Sequence, residues 1–335
     1  MLTAVIQFVV TAVVIIVAGT ALTRFADAIA DRTRMGRLLV GSILLAGATS
    51  LPELAVDINA VRLGMADLAV GDLAGSCLFN LLILAVIDLS HQSRGQMLSR
   101  TAAAHALSGT ASISLATAAA IFIPVSHRWP EFAIGRVGVG CVFILITYAV
   151  AVRLVFYDQR LSARRAENYD QEVLMPAGSL PLPKAVIGFV GAAAAIVVTG
   201  PFMAEAAGAL ADLTGLGDTF VGSTLVAICT SLPELVATIT AVRIGAFDLA
   251  IGNIYGSNAF NIVMLLPLDL ACSGSLLATV SQTHAVALVC SVMITSVAVM
   301  GQLYQVEQRI RFIEPDAILV ILLVCASLVL IYMLR

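Results

Sequence analysis

The sequence predicts an all-α integral membrane protein with ten transmembrane helices, arranged as two inverted-topology five-helix repeats whose central helices are broken. The 335 residues are 60% hydrophobic and only 12% charged, and their mean hydropathy is +1.02. A soluble domain carries roughly twice that charge, because its surface faces water. Apolar segments long enough to cross a bilayer recur along the whole chain. One long segment, which contains both apolar and polar residues, occurs twice. These observations exclude a soluble protein.

Ten apolar segments are predicted to span the membrane. They cover residues 2–22, 37–62, 66–88, 101–124, 132–156, 184–208, 218–243, 247–271, 281–303 and 315–334.

The longest polar stretch, 158–183, divides the chain into a first half (1–157) and a second half (184–335), and it is predicted to be a connector. Basic residues concentrate in cytoplasmic loops. If the N-terminus lies outside, fourteen of the 18 basic residues fall on the inner side and four on the outer side. Both termini are therefore predicted to be outside and the connector cytoplasmic. The basic residues lie in a few short loops, which argues against a nucleic-acid partner.

The repeated segment, 41–88, aligns without a gap on 222–269 at a constant offset of 181, and 25 of the 48 positions are identical. The identity includes T-S-L-P-E, A-V-R-x-G, D-L-A, G-S and F-N in register, and much of it is polar, which a mere scaffold would avoid. Five spans separate equivalent positions, so the copies enter the membrane from opposite sides. Inverted repeats of this kind are typical of secondary transporters that bind substrate at the midplane.

Each repeat carries a glutamate about a dozen residues into an apolar span, Glu53 and Glu234, and a proline directly before it. A charge at this depth costs at least a few kcal/mol without compensation. Proline removes a backbone donor and clashes with the carbonyl four residues earlier, so the helices are predicted to break around Ala46–Ser50 and Ala227–Ser231. A bound cation could satisfy the carbonyls that such a break frees.

Further polar side chains lie four residues apart, and so on one helix face. Carboxylate, hydroxyl, amide and carbonyl oxygens are hard ligands that suit Ca²⁺, which takes about six to eight of them, and also Na⁺. The pairs are Thr49 with Glu53, Thr230 with Glu234, Ser76 with Asn80, and Ser257 with Asn261.

At these residues the chain resembles the sodium/calcium exchanger family, in its compact prokaryotic form. The resemblance rests on G-A-T-S-L-P-E with G-D-x-x-G-S-x-x-F-N, and on C-T-S-L-P-E with G-N-x-x-G-S-N-x-F-N. It implies a Na⁺/Ca²⁺ antiporter working by alternating access, in which one Ca²⁺ alternates with about three Na⁺ and the first and sixth spans slide across the fixed repeats. The implied ion ligands are Glu53, Glu234, Thr49, Thr230, Ser76, Ser257, Asn80 and Asn261, with the backbone carbonyls of Ala46 and Ala227.

The resemblance implies no cofactor, because Na⁺ and Ca²⁺ are the transported ions. The partners are then these ions and the lipid bilayer, and no obligate protein partner is evident. The short connector and the absence of a targeting signal favour a multi-pass protein of a prokaryotic plasma (inner) membrane.

One departure from the family concerns the charge of the central site. Some family members carry aspartate where this chain has Asn261, which leaves two central carboxylates and predicts electrogenic exchange if the family stoichiometry holds.

Two acidic positions differ between the two copies of the repeat. Asp72 stands where the second repeat has Asn253, and Asp57 stands where it has Thr238. Both aspartates are candidates for an outer vestibule that attracts cations; the alternative is a packing role, for Asp72 as a residue bonded to backbone near its helix start.

Four other residues are assigned structural roles. Asp67 and Asp248 begin their helices, where a carboxylate favours the helix dipole, and are predicted to be caps. His105 and His284 fall at roughly corresponding places, but their offset is 179 rather than 181. Hydrogen-bonded packing is therefore favoured over proton relay for the two histidines.

Three other functions compete with Na⁺/Ca²⁺ exchange. Proton-coupled antiport of Ca²⁺ or another divalent cation would use the same glutamates, although protons need no cage of hydroxyls and amides. A channel usually builds its filter from several subunits, whereas this chain holds a two-fold site by itself. An intramembrane hydrolase could use paired acids, but no G-x-G-D-like context accompanies them.

Overall fold

The computed structural model describes residues 2–90, 102–167, 180–213, 229–304 and 315–334. The first half is a series of helices, with one short hairpin. Its elements are α1 (Leu2–Thr33), α2 (Arg37–Leu39), a π-helix (Val40–Leu45), α3 (Ala46–Thr49), α4 (Leu51–Arg62), α5 (Ala66–Ser90), α6 (Ala102–Arg128), β1 (Ala133–Ile134), β2 (Val137–Gly138) and α7 (Val139–Glu167).

The described part of the second half is entirely helical. Its elements are α8 (Leu182–Leu213), α9 (Leu232–Arg243), α10 (Phe247–Val263), α11 (Leu265–Ala271), α12 (Leu276–Thr279), α13 (Thr283–Tyr304) and α14 (Pro315–Met333).

The predicted helical membrane architecture is confirmed. Eight described spans are long and apolar enough to cross a bilayer, and the bent pair Arg37–Thr49 and Leu51–Arg62 makes a ninth. The tenth predicted span, 218–243, begins in 214–228, outside the described residues, and its second part is α9.

The boundaries differ from the prediction at both ends of α7. Residues 132–138 form the hairpin instead of opening the fifth span, and Gly135 provides the positive φ of 65° at the turn between its strands. At the other end α7 continues to Glu167, so the first part of the predicted connector is helical. Hydropathy marks only the apolar part of a helix, whereas the helix itself continues into polar sequence.

The second helix of each repeat lies at the centre of the molecule. The apolar windows of α5 and of 247–271 are 72% and 83% buried, whereas those of α1, α7, α8 and α14 are 17–22% buried. The outer helices therefore expose aliphatic side chains in the manner of lipid-facing spans, and α5 and α10 supply the polar interior. This layering brings the two repeats together.

Glycines allow the π-helix to cross α10 backbone to backbone. A Cβ on Gly41 would lie 2.6 Å from the carbonyl oxygen of Leu249, and one on Gly252 would lie 2.6 Å from that of Leu38. A Cβ on Gly256 would overlap the backbone of Ser42. Gly252 and Gly256 form a G-x-x-x-G pair, a spacing that lets membrane helices approach closely.

Asp269, to which the sequence assigned no role, holds the β-hairpin against the helices that follow α10. Its side chain is 1% exposed. Oδ2 accepts the backbone N–H of Gly138 and Oδ1 accepts that of Leu276, each at 2.7 Å. One buried carboxylate thus joins two segments that are far apart in sequence.

We expect Asp269→Asn to lower the free energy of unfolding by about 2 kcal/mol, because the new amide nitrogen would face a backbone N–H. Thermal unfolding of the purified protein in detergent measures this. Glu131→Gln, at an exposed site near the same hairpin, is the control and should unfold like the wild type. Equal unfolding temperatures for Asp269→Asn and the wild type would contradict this role.

Candidate ion-binding site

A broken helix places each central glutamate in the first turn of a new helix. Ser50, with φ −90° and ψ 0°, interrupts the helix between α3 and α4, and the two parts are bent by 43°. Ser231, with φ −84° and ψ 7°, makes the same interruption before α9. The break predicted in the first repeat is confirmed at its last residue. The equivalent segment in the second repeat is described only from Cys229 onward, so Ala227 lies outside the described residues.

The two glutamates are buried and contact serines of the opposite repeat. Glu53 is 1% exposed and Glu234 is 0% exposed. The hydroxyl of Ser50 donates to Oε1 of Glu234 at 2.8 Å, and that of Ser231 donates to Oε1 of Glu53 at 3.4 Å. Oε2 of each glutamate has no hydrogen-bond partner. The carboxylates of the two halves therefore meet in one buried polar region.

Sequence reasoning missed Ser50 and Ser231 as site residues. Both belong to the identical T-S-L-P-E segment, three residues before the glutamate, so the identity of the two repeats could have indicated them. The spacing between each serine and the glutamate that follows it could not have indicated this role, because each hydroxyl forms its hydrogen bond with the glutamate of the other half.

The hydroxyl side chains that were predicted as ion ligands are also buried in this region; they belong to Thr49, Thr230, Ser76 and Ser257. Thr49 lies 3.4 Å from the amide oxygen of Asn253, and the hydroxyl oxygens of Ser76 and Ser231 lie 3.1 Å apart. Thr230 and Ser257 are 2% and 0% exposed. The structure thus brings both hydroxyl pairs to the level of the glutamates.

The carbonyl of Ala46 already has two donors. It accepts the backbone N–H of Ser50 at 3.0 Å and the hydroxyl of Thr49 at 3.1 Å. An ion at this carbonyl would have to replace the Thr49 hydroxyl. The proposed role of Ala46 as a ligand therefore requires a side-chain rearrangement at Thr49.

The two predicted asparagines have buried amide oxygens without hydrogen-bond partners. Asn80 and Asn261 are each 1% exposed, and Oδ1 of both lacks a donor. The amide nitrogen of Asn80 donates to Asn258 at 3.0 Å, and Asn258 donates in turn to the carbonyl of Cys77 at 3.2 Å. Cys77 and Asn258 are equivalent positions of the two repeats, so this contact lies where the halves meet.

The region as a whole offers oxygen atoms and negative charge. Buried oxygens without a donor occur on Glu53, Glu234, Asn80 and Asn261. No lysine or arginine of the described ranges is buried, so no basic side chain there compensates the carboxylates at depth. A hard cation held by several oxygens would do so.

Asp57 and Asp72 are also buried, at 1% and 8% exposure, rather than lining an open surface. Oδ2 of Asp57 and both oxygens of Asp72 have no hydrogen-bond partner. Their assignment to an outer vestibule stays a prediction. Within the part of the chain that the structure describes, the carboxylate of Asp72 accepts no backbone hydrogen bond.

Two histidine–aspartate pairs join the halves. Nε2 of His105 lies 2.9 Å from Oδ1 of Asp248, and Nε2 of His284 lies 3.0 Å from Oδ1 of Asp67. Each pair links one half to the other, so the histidines are equivalent in contact although their offset differs by two. The aspartates, predicted as caps, bind side chains across the halves.

The chain matches the family described as sodium/calcium exchanger protein over residues 3–157 and 184–334. It is 44% identical to the sodium/calcium exchanger MaX1 of Methanosarcina acetivorans over 86 residues, which are 26% of this chain and 25% of that protein. It is 28% identical to the inner membrane protein YrbG of Escherichia coli, over 69% of this chain and 68% of that one. It is 26% identical to the putative antiporter CaxA of Alkalimonas amylolytica, over 72% of each.

The fold also matches a solved structure. The sodium-calcium exchanger NCX_Mj, soaked with Na⁺ and Sr²⁺, superposes with a TM-score of 0.70 over 97% of both chains, at 17% sequence identity. This likeness shows the fold alone.

Proposed function

The chain belongs to the sodium/calcium exchanger family, whose members are membrane antiporters rather than enzymes, and from this premise we propose that it exchanges Na⁺ for Ca²⁺ by alternating access. One observation carries the proposal: two buried glutamates, each in the first turn after a helix interruption, meet in a region of unpaired oxygens, and no lysine or arginine of the described ranges is buried there. The ligands are those predicted from the repeats, namely Glu53, Glu234, Thr49, Thr230, Ser76, Ser257, Asn80 and Asn261, with the Ala46 and Ala227 carbonyls.

The set of oxygen ligands in the site favours Na⁺ as the coupling ion. Ca²⁺ and Na⁺ both take several hard oxygen ligands, whereas a proton needs no cage of hydroxyl and amide oxygens. Two carboxylates neutralise one Ca²⁺, so the Ca²⁺-bound site is electrically balanced. A site loaded with about three Na⁺ would carry net positive charge, so exchange moves charge across the membrane.

The contacts of the outer pair of long helices, α1 and α8, support a movement of this pair across the site. These helices pack against each other, and each also packs against the broken helix of the opposite half. A Cβ on Gly19 of α1 would lie 3.1 Å from the side chain of Val236 of α9, and one on the equivalent Gly200 of α8 would overlap Pro52 of α4. Such contacts through small residues let one helix slide over another, and we assign the alternating movement to this pair.

We place the protein in the plasma (inner) membrane of a prokaryote as a multi-pass protein, with both termini outside and the connector cytoplasmic. The distribution of basic residues, fourteen inner against four outer, supports this orientation. The Arg62 end of α4 then faces outward.

Flux through liposomes tests the coupling ion. We expect Na⁺-loaded proteoliposomes diluted into Na⁺-free medium to accumulate ⁴⁵Ca²⁺, and K⁺-loaded ones to remain empty. If about three Na⁺ leave for each Ca²⁺ that enters, net positive charge leaves the vesicle in each cycle. A valinomycin-clamped potential, positive inside, should therefore speed Ca²⁺ uptake, and a potential that is negative inside should slow it.

A pH gradient imposed without Na⁺ provides the decisive comparison. Uptake driven only by that gradient would identify a proton-coupled antiporter that uses the same glutamates. Failure of every gradient to move Ca²⁺, with protein that elutes as a single folded species, would overturn the proposed ion pair.

A further inference from the structure

The two halves differ at one buried pair of positions. Asp57 and Asp72 in the first half correspond, at the offset of 181, to Thr238 and Asn253 in the second. Asp57 lies one turn beyond Glu53 on α4, and Asp72 lies one turn before Ser76 on α5. The pair is therefore one helical turn from the central site, toward the Arg62 end of α4.

In the second half the corresponding side chains satisfy each other. The amide of Asn253 donates to the hydroxyl of Thr238 at 3.1 Å, which makes a neutral, hydrogen-bonded pair. Two ionised aspartates cannot repeat this contact, because both are acceptors only. The structure accordingly leaves Oδ2 of Asp57 and both oxygens of Asp72 without a donor.

Burial of the carboxylates of Asp57 and Asp72 side by side costs electrostatic free energy unless a positive charge lies next to them. The carboxylates of Asp57 and Asp72 repel each other, and the charges of Glu53 and Glu234 add to the repulsion. Both aspartates are more than nine-tenths buried, and the described residues contain no buried lysine or arginine. A buried charge is stable only when it is paired or coordinates a metal.

We propose that Asp57 and Asp72 form a second cation-binding site, which takes a hard divalent cation such as Ca²⁺ in the absence of Na⁺. The proposal rests on the proposed function for its ion, and it differs from the central site in its residues and its place. Four buried carboxylates balance two divalent cations in charge, whereas the two glutamates balance one. Because Thr238 and Asn253 are neutral, only one of the two approaches to the central site carries this extra charge.

Equilibrium binding of ⁴⁵Ca²⁺ to the purified protein in Na⁺-free detergent solution tests the site. We expect about two Ca²⁺ per chain for the wild type and about one for Asp57→Thr/Asp72→Asn, since this double variant restores the neutral pair of the second half. That pair is tolerated at the equivalent place in this same protein, which favours folding of the variant. Glu131→Gln removes an exposed carboxylate elsewhere and should bind like the wild type.

Two further variants separate the possible failures. Glu53→Gln/Glu234→Gln should retain about one Ca²⁺ at the aspartates, whether or not the protein exchanges Na⁺. If the double aspartate variant does not fold, the single variant Asp72→Asn provides the test. It should lower the affinity for the second Ca²⁺ by roughly tenfold or more. Identical Ca²⁺ binding by the wild type and the aspartate variants would overturn the second site. Absence of Na⁺-driven flux with the expected binding would overturn only the proposed exchange.

Discussion

Replacing either Glu53 or Glu234 by glutamine will abolish Na⁺-driven ⁴⁵Ca²⁺ uptake into liposomes, with a loss of at least about 100-fold. Each substitution removes one of the two charges at the point where the repeats meet, and Ca²⁺ in a buried site depends on that charge for its binding energy. The glutamine oxygen can still accept the hydroxyl of Ser50 or Ser231. We therefore expect these variants to fold, and uptake from Na⁺-loaded vesicles measures the loss.

Glu205→Gln is the matched control for this experiment. Glu205 lies on α8 within an apolar span, but it is exposed and its carboxylate is contacted by Gln7 at 3.5 Å. We expect its uptake to equal that of the wild type. If either central variant transported Ca²⁺ at the wild-type rate, the glutamates would not be the ion ligands, and the site would have to be sought elsewhere in the fold.

The second large effect is structural: Gly256→Val should prevent stable folding. The Cβ of any other residue at this position would overlap the backbone of Ser42 in the π-helix, and backbone cannot rotate away as a side chain does. Overpacking of a close helix crossing costs about 3 kcal/mol. It would also displace Thr49 and Ser50, which follow the π-helix. Loss of the monodisperse peak in detergent gel filtration, or a much lower unfolding temperature, would report the effect.

Gly191→Val provides the comparison. Gly191 lies on the exposed face of α8, and no described atom outside its own helix lies within 4 Å of a Cβ built there. This variant should elute and unfold like the wild type. Equal behaviour of the two valine variants would mean that the crossing of the π-helix and α10 can widen without cost.

The sequence predicted the local features of the site because their causes are local. The proline before Glu53 removes a backbone donor and disfavours an unbroken helix at that point, and a glutamate inside an apolar span indicates function at a depth where charge is costly. The gapless repeat placed a second copy of both features 181 residues later. The spans, the break at Ser50 and the burial of the paired polar residues followed from these signals.

Contacts between the halves could not be predicted in this way. The offset of 179 suggested that His105 and His284 were not equivalent, yet each pairs with the equivalent aspartate of the other half. The α6 and α13 helices that carry the histidines lie outside the repeated segment, so a small shift in their register leaves the contact intact. Sequence distance alone was therefore a poor guide to equivalence there.

The sequence alone was enough to identify a membrane protein with one segment that occurs twice, and with a glutamate close to each predicted helix break. The packing of the helices brings Ser50 to Glu234 and Ser231 to Glu53, and it leaves Oδ2 of Asp57 and both carboxylate oxygens of Asp72 buried without a donor. The physical reason is the range of the forces involved. Helix breaks and hydropathy arise within a few residues of the chain, whereas the partner of a buried polar atom depends on how two helices, distant in sequence, pack against each other.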